Sequence, residues 1–202
     1  MSTARTDAIS RRTALAGLGA GGLGVALAAT ARAAAAQDVE MANHPMVGAW
    51  LVGRAPNDIT VAHFGADGLV STNTPTVGVG ADGAVTHSDS AMGSWVPEGA
   101  RGIHFVFTNR TYDAAGALTG YFTVETHPVV SEDGMSFWDD AADLTVTIRD
   151  PNGAVVQSFG GDGGIPPVGG VRLVPGASGY DEMLAMLAAR TTATPEAGTP
   201  TA

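Results

Sequence analysis

Five histidines, an acidic run and a small set of aromatic side chains are the residues of this chain with chemistry to offer. His44, His63, His87, His104 and His127 are the candidates for proton transfer or metal binding. Close spacing marks such a site, because one helix or strand must aim two imidazoles at a point. The chain has no His-x-His and no His-x-x-x-His with a Glu. His104 and His127 fall on segments expected to be neighbouring strands that face one compartment. Asp139, Asp140 and Asp143 follow Trp138 and carry oxygens that suit a hard cation, but without the Asp-x-Asp-x-Asp-Gly spacing of a calcium loop. They read as an acidic, solvated loop. A carboxylate pair for hydrolysis would have to come from distant positions such as Glu125 and Asp143, and nothing selects that pair. Ser94, Ser131 and Ser136 lack a nucleophile elbow, since Gly93-Ser94-Trp95 is not Gly-x-Ser-x-Gly. The glycines of 160–164 miss the phosphate-loop pattern and surround Asp162, which would repel phosphate. No catalytic residue, metal ligand or cofactor is assigned on these grounds.

The elements that must position these residues are strands. Between Pro45 and Pro175 the hydrophobic period is two, and turn signals recur throughout. Asp67-Gly68, Asp82-Gly83, Asp133-Gly134 and Asn152-Gly153 are hairpin turns in the making, because Gly tolerates positive φ and Asp or Asn comes close; Ala115-Gly116 adds another. Ile103, Phe105 and Phe107 alternate with His104, Val106 and Thr108. Phe122 and Val124 alternate with Tyr121, Thr123 and Glu125, and Leu144, Val146 and Ile148 alternate with Thr145, Thr147 and Arg149. Strands are expected near 47–53, 58–64, 69–73, 84–88, 91–97, 103–109, 118–130, 135–138, 143–149, 154–159 and 169–174. Short links make consecutive strands antiparallel neighbours. The expected fold is therefore all-β, an antiparallel meander closed into an eight- to ten-stranded barrel, which removes its exposed edges. One helix closes the chain: Ser178 is its N-cap, Asp181 and Glu182 lie in its first turn and Arg190 in its last, and Tyr180, Met183, Leu184 and Leu187 line one apolar face. The outside of the barrel is the expected partner for that face.

The strand opening with Gly48-Ala49-Trp50, the meander, the near-terminal Gly170-Val171-Arg172 and the closing helix together resemble the lipocalin and wider calycin pattern. That resemblance implies that Trp50 plugs the closed end of the barrel and that Arg172 lies across it, gaining cation–π attraction. It further implies an interior that binds a small apolar molecule. Trp95, Phe105, Phe107 and Tyr121 are the expected ligand-binding side chains. Three features depart from the family: its Thr-Asp-Tyr motif is absent, a second Gly-x-Trp stands at Gly93-Ser94-Trp95, and the loops are rich in glycine. The two Gly-x-Trp strands also raise a duplicated half-barrel as a possibility.

Residues 1–36 read as an export address. Arg11 and Arg12, an uncharged Ala/Gly/Leu/Val stretch from Ala14 to Ala31, and small residues at Ala33 and Ala36 resemble a twin-arginine signal, with Ala14 and Ala16 where Phe and Lys are usual. Cleavage after Ala33 or Ala36 fits equally, the export machinery is the expected partner of Arg11 and Arg12, and no stable membrane span is expected after cleavage. The rest holds six Arg, no Lys and nineteen acids, a net charge of −13 that repels nucleic acid and anionic lipid. There is no cysteine, hence no disulfide, thiolate site or lipid-modified Cys. A domain over 37–190 is followed by a Thr/Pro/Ala tail, 191–202, with almost nothing to bury.

Three functions fit this reading. The first is an exported barrel that binds a small apolar molecule, which needs an interior void above roughly 300 Å³ with few polar groups. The second is a small isomerase or cyclase using His104, Glu125 or His127 inside the barrel. The third is a surface or structural protein with a filled core.

Overall fold

The computed structural model describes residues 41–73, 77–79, 83–160 and 165–191. The leader, its two cleavage positions, most of the 160–164 glycine run and the tail beyond Thr191 lie outside the described residues. The expected period-two segments become strands, and β4 is an additional one not expected from the sequence: β1 (Gly48–Ala55), β2 (Asp58–Phe64), β3 (Leu69–Asn73), β4 (Val77–Val79), β5 (Val85–Ser88), β6 (Ala91–Glu98), β7 (Gly102–Asp113), β8 (Leu118–Thr126), β9 (Val129–Val130), β10 (Ser136–Asp139), β11 (Thr145–Arg149), β12 (Val155–Gly160) and β13 (Val168–Arg172). Helix α1 (Tyr180–Thr191) follows.

By their pairing these group into eight long strands. β3 pairs with β6 while β4 pairs with β5, so β3 and β4 count as one and β5 and β6 as another. By the same logic β8 groups with β9, β10 with β11 and β12 with β13. The 118–130 segment is one strand in direction but is broken at His127-Pro128, because proline brings no N–H to the ladder. All pairings are antiparallel, and the ring β7-β6-β3-β2-β1-β13-β10-β9 closes where Gly102 pairs with Val129. The result is an eight-stranded barrel, consistent with a calycin-like fold. At the other end β8, β11 and β12 extend beyond the ring, and β12 ends the hydrogen-bonded path among the described strands.

Three hairpins share one turn. Gly68, Gly116 and Gly153 take φ of 78°, 81° and 87°, the left-handed residue that ends a type I turn and starts a bulge. Asp113 and Asp150 each accept, through Oδ1, the N–H groups two and four residues on, which locks the loop without help from the core. A four-strand repeat would place the counterpart of Trp50 on the fifth long strand, β7. Trp95 is on the fourth and runs antiparallel to Trp50, so the two Gly-x-Trp segments are not equivalent halves.

β13 carries adjacent glycines whose missing side chains serve opposite faces. A Cβ on Gly170 would lie 2.0 Å from the Phe137 ring inside the barrel, and one on Gly169 would lie 2.4 Å from Met186 outside it. Helix α1 thereby reaches the wall: Met183 and Leu187 are buried against Val171, with Leu51, Ile59 and Met186 around them. Tyr180 is largely exposed and Leu184 half-buried, so the buried stripe is narrower than the i, i+3, i+4, i+7 pattern suggested, and Met186 rather than Tyr180 completes it. No helix among the described residues is long and apolar enough to cross a membrane.

Candidate functional site

The base of the barrel is a plug of aromatic rings. Trp50 and Trp95 are both fully buried in one cluster with Phe64, Ile103, Phe105, Val130 and Phe137. Trp50 donates its indole N–H to the Met46 carbonyl at 2.8 Å and meets Phe137 edge-on. Trp95 donates to the Gly65 carbonyl at 2.9 Å, and its backbone N–H to that of Gly68 at 2.8 Å, which pins the β2–β3 hairpin under the floor. The Arg172 guanidinium lies over the Trp50 ring at 4.3 Å. It donates to the carbonyls of Gly134 (2.7 Å), Val47 (2.9 Å) and Pro45. Burial pulls its pKa down from the ordinary guanidinium value, but arginine keeps its charge throughout the range in which proteins fold. Strands β1 and β13, the stretch 45–47 and the turn at Gly134 are thus tied at one point by two side chains.

Above this floor is a second, separate cluster: Ala141, Leu144 and Val146 with Phe122, Val124, Ile148, Phe159 and Ile165, from β8, β11 and β12 and the segments that precede β11 and β13. The two clusters do not merge. Between them is a cavity of about 180 Å³. Phe64, Phe105, Phe107 and Phe137 form its floor side, and Phe122, Val124, Leu144, Val146 and Ile165 its far wall. The β1–β3 wall contributes small residues, Val52, Thr60, Ala62, Val70 and Thr72, and this lack of bulk at mid-height leaves the space open. Arg54 and Asp58, ion-paired at 2.6 Å, stand at its β1–β2 rim.

Besides Asp58 at the rim, a buried carboxylate lines the lumen. Asp139 is only 6 % exposed. It accepts the Thr126 hydroxyl through Oδ2 and the Ala141 N–H through Oδ1 at 2.8 Å. Ala141 has a φ of 64°, a left-handed conformation that L-residues other than Asn and Asp seldom adopt. The Asp139 contact holds that residue in place, and local strain of this kind costs about 1–3 kcal/mol and collects near functional sites. The acidic run is therefore not one solvated loop: Asp140 and Asp143 are exposed, while Asp139 turns inward from the end of β10.

The ring of expected ligand-binding side chains divides. Phe105 and Phe107, stacked at 5.7 Å, line the cavity. Trp95 lies in the floor below it. Tyr121 lies on the outer face in a shallow surface groove with Arg149, because it shares the strand phase of Thr123 and Glu125; its neighbour Phe122 faces the lumen instead. The phase of Glu125 was the signal in the sequence for this, since a carboxylate marks the wet face. The proposed lumen acid–base set also falls outside. His104, Glu125 and His127 are on the outer wall, with His104 Nε2 2.7 Å from Glu125 and His127 Nδ1 2.9 Å from Glu98.

The chain matches no family model, no curated protein and no solved structure in the comparisons made with them. Function therefore rests on the geometry alone.

Proposed function

We propose that this is an exported, lipocalin-like barrel that binds a small, mostly apolar molecule in its lumen. One observation carries the reading: the core divides into two clusters with a cavity of about 180 Å³ between them, walled mainly by aromatic and aliphatic side chains. A filled barrel would merge the two, because interiors pack as densely as organic crystals. The size narrows the ligand. The cavity does not reach the void of roughly 300 Å³ expected for such a binder from the sequence, so a drug-sized ligand is excluded; its volume is near the ~150 Å³ that admits benzene. A ring or short branched chain of about ten non-hydrogen atoms fits. Asp139 and Thr126 give such a ligand one polar handle, favouring a single hydroxyl or amino group over a bare hydrocarbon.

The twin-arginine leader puts the binding outside the cytoplasm in this reading, with Arg11 and Arg12 addressing the export machinery. The isomerase or cyclase alternative loses its named residues, because His104, Glu125 and His127 do not line the lumen. Native mass spectrometry of the exported protein tests the proposal. A reproducible excess of about 100–200 daltons, lost on denaturation, is the expected result for a ligand of this size. A mass equal to the bare polypeptide, with no uptake from a metabolite extract, counts against it.

A further inference from the structure

The outer wall near the barrel base holds a cluster that the lumen-binding function does not use. Strand register assembles it. On β7, His104 stands opposite Val96 of β6, and on the other side the β7–β8 register, carried one pair past Phe105↔Thr126, puts His127 beside it. The two imidazoles stack with ring centroids 4.4 Å apart and planes 12° off parallel. Glu98 and Glu125 lie on the same outward face, one above and one below this row. Gly102 lies between Glu98 and Val129 in the ladder and has no side chain, so Glu98 crosses over it to reach His127 Nδ1 at 2.9 Å. A Cβ on Gly102 would approach the Glu98 carbonyl oxygen to 2.7 Å.

We propose that Glu98, His104 and His127 form a surface site for a divalent transition-metal ion of the zinc class. One ligand atom from each lies within 4.8 Å of the other two. A tetrahedral ion with metal–ligand bonds of about 2.0–2.2 Å holds its ligand atoms roughly 3.4 Å apart. Binding therefore requires rotation of the exposed Glu98 chain and a tilt of the two half-buried rings out of their near-parallel stack, so that their in-plane nitrogen lone pairs converge on the ion. Two imidazole nitrogens with one carboxylate oxygen form a borderline donor set, which selects zinc, cobalt, nickel or copper over calcium and magnesium. Three protein ligands leave a fourth position open to water or substrate. Glu125, 2.7 Å from His104 Nε2, orients that ring as the outer carboxylate does beside many metal-bound histidines. The −13 charge beyond residue 36 draws cations to the surface. Glu98 and His104 are six residues apart and His127 is twenty-three further on, so no linear motif announces the site.

The test is calorimetric titration of the full, tag-free chain with zinc chloride, and of its imidazole NMR signals with the same ion. The expected result is one equivalent bound per chain, with the His104 and His127 signals moving and those of His63 and His87 staying. His104→Ala and His127→Ala each lower affinity at least tenfold, and Glu125→Gln lowers it about tenfold. His63→Ala and His87→Ala leave it unchanged. Circular dichroism of each variant separates loss of the site from loss of the fold. No saturable uptake by the folded chain, or binding that survives in the folded double variant His104→Ala/His127→Ala, overturns the proposal.

Discussion

The Arg172 guanidinium rests 4.3 Å from the centroid of the Trp50 ring, joining the last strand of the barrel to the first. Three carbonyl oxygens, those of Pro45, Val47 and Gly134, share the other N–H groups of Arg172. Charged hydrogen bonds contribute about 1.5–3 kcal/mol each when their loss strands a buried partner, and a desolvated cation–π contact adds roughly 1–2 kcal/mol. These contributions are not additive and the guanidinium's own desolvation offsets much of them, so Arg172→Met, which keeps the stem and removes the donors, should lower stability by about 2–4 kcal/mol in urea denaturation. Arg172→Lys should recover only part of this, because an ammonium is a point charge without the planar fork.

Gly170 and Phe137 form a second coupled pair. A Cβ at position 170 would lie 2.0 Å from the ring, so Gly170→Ala should cost about 1–3 kcal/mol by overpacking. Phe137→Leu in the same chain should return part of that loss. A double-mutant cycle should give a coupling energy of about 1 kcal/mol or more. Additive effects would mean that the floor yields more easily than its geometry implies.

The turns, the strand phases and the outer position of the last helix are legible in the sequence because each depends on neighbours in the chain. Gly68, Gly116 and Gly153 follow from local φ preference, and Phe105 with Phe107 from alternation. Alternation alone does not say which phase faces inward; for Tyr121 the outer face follows from the carboxylate of Glu125 in the same phase. Asp139 reads as loop because its stabilising contacts come from Thr126, thirteen residues away, and from an unusual backbone at Ala141. Glu98, His104 and His127 meet only through register and through the missing side chain of Gly102.

Asp139 supports both a backbone and a lumen wall, and two substitutions separate these roles. Asp139→Asn keeps an acceptor for the Ala141 N–H and should change stability by less than about 1 kcal/mol. Asp139→Ala leaves that N–H and the positive φ of Ala141 unsupported and should cost about 2 kcal/mol, read by thermal unfolding.

Asp89 predicts the acid limb of stability. Burial raises its pKa, but the backbone N–H and side chain of Arg110 at 2.7 and 2.6 Å outweigh this and hold it below the ordinary carboxylate value. A folded pKa below the unfolded one contributes stability above the unfolded value and loses it as pH falls through the folded value. The difference in unfolding free energy between the parent and Asp89→Asn should therefore be constant at neutral pH and shrink below about pH 4. The difference should be small, because Arg110 is exposed and solvent screens the pair. A difference that grows on acidification would contradict this.

Thermal unfolding with benzene, toluene, cyclohexanol and p-cresol as probes asks whether the lumen binds a small molecule. At ten times its Kd a probe that binds only the folded state should add about 1.4 kcal/mol of stability. The hydroxylated probes, cyclohexanol and p-cresol, should surpass the hydrocarbons through Asp139 and Thr126. Val124→Phe, which pushes a ring into the cavity from β8, should fold and lose the response. Saturable stabilisation that disappears in Val124→Phe is the predicted result; no stabilisation by any probe, or an equal response in the filled variant, would contradict a ligand-binding lumen.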